Sequence, residues 1–127
     1  MALNKPWQKY DPAQARRLTG ALGVYELGDA AGNVVYIGFA GGKSRFGLRG
    51  EIVARLANPS GNAELDGKAS KFRYEVNMMY LTRFVELLEK HQDATGAIPA
   101  ANAMAGEYVP TVVLRRRPRQ NAKTGGV

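Results

Sequence analysis

The chain of 127 residues contains no cysteine and a single histidine, His91. Disulfides and thiolate metal sites are therefore excluded, and so is a histidine-rich zinc site. Any metal it uses is a hard cation held by oxygen, which points to magnesium or manganese. No apolar run is long enough to cross a bilayer. The N-terminal stretch lacks the apolar centre of a signal peptide. These absences lead us to expect a cytoplasmic or nucleoid-associated protein with no membrane partner. Internal repeats and linker-like stretches are missing too, and the length suits one domain.

What is present is an ordinary core and an excess of positive charge. Hydrophobic residues make up 45% of the chain, too many for a disordered protein. The net charge is +7 and the isoelectric point about 9.9, which fits a nucleic-acid partner. Of 18 basic residues, five (Arg115, Arg116, Arg117, Arg119 and Lys123) fall in 111–127, where no acid occurs. The remaining 13 face 11 acidic residues, so most of the excess sits in the tail. Segments 1–20, 21–110 and 111–127 accordingly read as an N-terminal extension with a short helix, the folded domain and a basic C-terminal tail.

Asp11-Pro12 has the form of an N-cap and first-turn proline, which predicts a short helix through Leu18. Val24, Tyr25 and the run Val34 to Ile37 are strand-favouring types. Gly28 through Asn33 supply the turn between them, giving a β-hairpin. Strict alternation would put Val35, Ile37 and Phe39 on one side and Tyr36 with Val34 on the other, leaving the Tyr36 hydroxyl open to water or substrate. After the Gly41-Gly42 bend, Ser44 is a candidate cap for a helix whose stripe is Leu48, Ile52, Val53 and Leu56. Arg45 and Arg49 would be neighbours on it. Phe72, Tyr74, Val76 and Met78 alternate with polar residues, which predicts a third strand. A second helix from Tyr80 to His91 would bury Leu81, Phe84, Leu87 and Leu88 and pack His91 at their edge. Val109 and Val112 to Leu114 are a candidate edge strand broken by Pro110.

Gly23-Val24-Tyr25 and Tyr36-Ile37-Gly38, in this order and at hairpin spacing, resemble the two triplets of the GIY-YIG nuclease family. The resemblance covers roughly 21–102. It implies an α/β fold, an α+β sandwich in which a small three-stranded antiparallel sheet is flanked by helices. It also implies magnesium- or manganese-dependent hydrolysis of DNA phosphodiesters, with RNA as the other possible substrate, by a chain that we expect to be monomeric.

The same resemblance assigns roles. Tyr25 and Tyr36 would line the active site, one of them positioning or deprotonating water. An arginine on the helix after the second triplet would neutralise the phosphate; Arg49 is the choice and Arg45 the alternative. Arg49 stands 11 residues after Gly38, later than is usual in the family, with Gly41-Gly42-Lys43 resembling a local insertion. The family's metal ligand is a glutamate on the helix after the third strand, here Glu86 or, alternatively, Glu89. Pro99 and Asn102 match the family's closing proline and asparagine, so Asn102 would hydrogen-bond the glutamate or a phosphate. Lys43, Arg45, Arg115, Arg116, Arg117 and Arg119 would hold nucleic acid through phosphate contacts. Both glutamates also fit a solvated helix face. A non-catalytic DNA- or RNA-binding protein on the same fold is therefore the alternative reading.

Overall fold

The computed structural model describes residues 3–42, 44–57 and 67–104. The candidate edge strand at Val109 and Val112 to Leu114, Lys43, and the tail cations Arg115, Arg116, Arg117 and Arg119 lie outside the described residues. The element order is β1 (Gln8–Lys9), α1 (Pro12–Ala15), β2 (Gly23–Gly28), β3 (Val34–Ala40), α2 (Gly47–Ala57), β4 (Lys71–Val76), α3 (Tyr80–Thr95) and α4 (Ala100–Met104). The fold is α+β. Its antiparallel sheet has four strands in the order β1-β4-β2-β3, one more than expected. The extra strand, β1, is two residues pairing Gln8 with Phe72 and Lys9 with Lys71, within a stretch that lacks any alternating pattern. Among the described residues, no helix is long and apolar enough to cross a membrane.

The first helix forms as its cap predicts. Asp11 accepts a hydrogen bond from the Gln14 amide at 2.9 Å and Pro12 follows it, although the helix stops at Ala15. In the hairpin turn, Asp29 accepts from the amides of Ala31 and Asn33 at 3.0 and 2.9 Å. β2 is the central strand, paired on both sides and buried along its whole length.

Both faces of the sheet are covered. On one, Leu48 and Ile52 of α2 pack with Tyr25, Leu27, Tyr36 and Phe72. On the other, Phe84, Leu87 and Leu88 of α3 pack with Val24 and Ile37. The expected alternation in β3 fails at one place for a clear reason. Leu27 pairs with Tyr36 but Gly28 pairs with Val34, so Val35 is the extra residue of a bulge. Val34 consequently joins the α3 face with Ile37 and Phe39, and Val35 joins the α2 face with Tyr36.

Two helix boundaries also differ from expectation. α2 begins at Gly47, and its first amides are taken by the loop before β2: Leu48 donates to the Ala21 carbonyl and Arg49 to that of Thr19. Ser44 does not cap it. Its hydroxyl accepts from the Gly41 amide and donates to Glu51. Arg45 thus lies before the helix and is not on it with Arg49. Helix α3 runs on to Thr95, where Gly96 closes it at φ 92°, and Leu81 at its start is exposed.

Candidate functional site

The register of β2 and β3 brings the two triplets together. Tyr25 pairs with Gly38, the last residue of the second triplet. The Tyr25 ring lies across that glycine, so closely that a Cβ there would come within 2.4 Å of the ring and hydroxyl. The Tyr25 and Tyr36 rings are 6.2 Å apart and tilted by 44°. Tyr25 has no exposed surface and Tyr36 retains 5%. The Tyr36 hydroxyl does not stand open as expected, because an arginine engages it.

That arginine is Arg55, on α2. Its Nε donates to the Tyr25 hydroxyl at 2.6 Å and its Nη2 to the Tyr36 hydroxyl at 2.8 Å. The guanidinium carbon lies 4.4 Å from the Tyr36 ring centroid. Three contacts of this kind hold the planar group in one place. Among the described residues no ion pair neutralises Arg55, and its Nη1 has no partner. Glu51, one helical turn earlier, acts on Arg55 and Tyr25 electrostatically, while its hydrogen bond is to Ser44 at 2.9 Å. Burial pushes the Tyr25 phenol far above its ordinary range, with Arg55 opposing. Burial alone would weaken the Arg55 cation, but the tyrosine oxygens beside it hold its proton more firmly than usual. The pair at physiological pH is therefore a neutral phenol and a fixed cation.

The other candidate residues lie elsewhere. Arg49 is exposed and points into a groove with Arg16, Phe46, Gly50 and Val53, away from the tyrosines. Arg45 lies against the Phe46 ring, 5.4 Å from its centroid. Glu86 is on α3, which covers the opposite face of the sheet. Its Oε1 accepts from Arg83 Nη1 at 2.6 Å, and Arg83 also binds Glu75 through Nε at 2.9 Å. Glu89 is on the same helix. The residues present do not fit a metal centre in which Glu86 and the tyrosines share one ion, and among the described residues no group of three or more acidic or histidine side chains could hold one.

Asn102 hydrogen-bonds the backbone of β3. It is fully buried, with Oδ1 accepting from the Ile37 amide and Nδ2 donating to the Ile37 carbonyl, both at 2.8 Å. Among the described residues β3 is an edge strand, and this amide takes the place of a neighbouring strand at Ile37.

Sequence reasoning missed Arg55, although a signal was there. It stands three residues after Ile52 and seven after Leu48, on the helix stripe that faces the core. Glu26 was also missed: an acid in the central strand, buried, with Arg73 Nε at 2.7 Å.

The family model described as a domain of unknown function (DUF7508) matches residues 1–94. No curated protein and no solved structure matches the chain.

Proposed function

Because the chain belongs to the DUF7508 family, whose description leaves the function open, we propose one from its site: a cytoplasmic GIY-YIG-type endonuclease that hydrolyses nucleic-acid phosphodiesters, DNA first among them. The observation that carries this reading is the half-buried Arg55 guanidinium, bonded to the tyrosines of both triplets and, among the described residues, in no ion pair. A partly buried charge is costly unless something compensates it, and a phosphate oxygen on Nη1 would do so.

In this reading Arg55 binds a non-bridging phosphate oxygen and stabilises the charge that gathers there as water attacks phosphorus. The bond to the leaving oxygen breaks, and that oxygen takes up a proton. Tyr25 is a positioning residue, because its neutral buried hydroxyl fixes the guanidinium. Tyr36 sits at the exposed side of the cluster and orients the phosphate or the water. Glu51 is the carboxylate whose charge reaches this cluster, and we assign it the proton released by the water.

One observation favours a second reading, binding without turnover. The glutamate that the resemblance makes a metal ligand, Glu86, is paired to Arg83 on the far face. Incubating the purified protein with plasmid, branched DNA and RNA, with and without magnesium or manganese, decides between the two. Strand cleavage that Glu51→Gln removes supports the enzyme. Binding with no cleavage under any condition establishes the second reading, and neither binding nor cleavage sinks both.

A further inference from the structure

Phe46 is the one non-glycine residue among those described with positive φ, at 63°. Gly47 follows at φ 57°. This conformation is strained for a residue with a side chain, and such strain persists only where neighbours hold it. Here they do: the Leu48 and Arg49 amides are fixed on the Ala21 and Thr19 carbonyls, and the Gly50 amide donates to the carbonyl of Phe46 itself. The result is a large aromatic ring turned outward, 63% exposed. The ring borders an open groove of about 450 Å³ lined by Arg16, Phe46, Arg49, Gly50 and Val53, and Arg45 lies against it. Among the described residues none of these three arginines has an ion pair, and no acid lines the groove.

We propose that Phe46 is a stacking platform for an unpaired nucleobase, with Arg16 and Arg49 holding the adjoining phosphates. An aromatic face beside unneutralised arginines is what single-stranded nucleic acid requires, because every base offers a π-face and every nucleotide a phosphate. A duplex keeps its bases stacked inside and cannot use the ring. The same helix carries Arg55 six residues after Arg49, about 9 Å further along its axis, so one strand can engage both places. The inference rests on the nucleic-acid reading of the tyrosine–arginine cluster and narrows its substrate to one with an unpaired segment, such as a flap, loop or branch.

The test is binding of a fluorescent oligothymidylate and of a hairpin duplex of equal length, in chelator so that no turnover intrudes. Phe46→Ala should weaken binding of the single strand about five- to hundredfold and leave the duplex within about twofold. Phe46→Gly should weaken it equally while leaving the melting temperature unchanged or higher, since glycine accepts this backbone freely. That variant separates loss of the ring from loss of the fold. Phe46→Trp should bind as the parent does, with emission quenched by the oligonucleotide. Equal loss on duplex and single strand, or unchanged binding by Phe46→Ala, overturns the proposal; so does unchanged nucleic-acid binding with a changed oligomeric state, which would make the ring a protein contact. A protein that cleaves nothing yet binds single strands through Phe46 keeps this inference and loses the nuclease. A protein that cleaves nucleic acid while Phe46→Ala binds the single strand as the parent does keeps the nuclease and loses this inference.

Discussion

The two faces of the sheet hold similar charged residues under opposite terms. On the α3 face, Glu26 is paired with Arg73, and Glu75 and Glu86 flank Arg83. Every one of these charges has an opposite partner within ion-pair distance, and Arg73 also lies 4.0 Å from the Trp7 ring centroid. On the α2 face, Arg55 is held by two tyrosine hydroxyls and, among the described residues, has no ion pair. Pairing makes the first set a self-sufficient part of the fold. The second set is ordered but leaves its charge uncompensated, which is a poor use of an arginine for stability and a good one for an anion. The comparison implies that function and stability are separable by face.

The largest expected effect tests the α2 face. Arg55→Met should lower single-turnover cleavage at saturating DNA by about a hundredfold or more, the size seen when one preorganised donor is lost. Its thermal stability should fall only modestly, because the hydrogen bonds lost at the two buried hydroxyls are partly offset by removal of a partly buried cation. If stability collapses and activity merely follows it, Arg55 is a structural residue and the contrast between faces disappears.

The second effect concerns β3, the strand that both faces share. Asn102→Ala removes both partners of the Ile37 backbone and leaves a buried N–H and C=O without them, which should cost about 2–4 kcal/mol. Asn102→Asp keeps an acceptor for the amide but loses the donor to the carbonyl, so it should be destabilised as well. Chemical denaturation measures both. A loss below about 1 kcal/mol for Asn102→Ala would mean that water replaces the amide and that the edge needs no covering residue.

Much of this arrangement was legible beforehand. The cap at Asp11-Pro12, the hairpin, the strand at Phe72 and the α3 stripe follow from local spacing and turn chemistry, which depend on near neighbours only. The meeting of Tyr25 and Tyr36 was implied by the resemblance, and the hairpin register brings it about. What failed depended on contacts distant in sequence. The bulge at Val35 reverses the facing of two residues, and no local pattern marks it. The first turn of α2 is fixed by carbonyls of Thr19 and Ala21, so the helix starts at Gly47, two residues later than a Ser44 cap would have it, and Arg45 is left before it. Arg49 and Arg45 were weighed by their spacing from Gly38 along the chain, whereas the arginine that reaches the tyrosine hydroxyls, Arg55, is set by which side of α2 meets the sheet. The pairing of Glu86 with Arg83 and the opposite facing of α2 and α3 are likewise facts of topology that neither helix records in itself.

The smallest expected effect breaks the comparison from the α3 side. The Arg83 side chain is 11% exposed, Glu75 25% and Glu86 43%. Arg83→Met should cost about 1–2 kcal/mol at neutral pH, mostly through Glu75, since solvent screens the more exposed Glu86 pair. The charge origin of this loss is visible in its pH dependence. Burial opposes ionisation of Glu75, but hydrogen bonds from Asn77 and Arg83 outweigh it and hold the carboxyl below its ordinary value; Arg83's hydrogen bond likewise lowers Glu86. A depressed carboxylate stabilises the fold above its unfolded pKa, and the contribution disappears as pH falls through the folded one. Glu26 has the opposite sign. Burial raises it despite Arg73, so its contribution is present at low pH and lost as pH rises through the raised value. Melting curves should therefore show the parent and Arg83→Met separated at neutral pH and converging below the usual glutamate range, and Glu26→Gln should remove the opposing trend just above that range. Cleavage by Arg83→Met and by Glu86→Gln should stay within about twofold of the parent at permissive temperature. A constant separation at every pH would show that Arg83 acts through its packed stem. A large cleavage loss in Glu86→Gln would return that carboxylate to the site and join the two faces in one function.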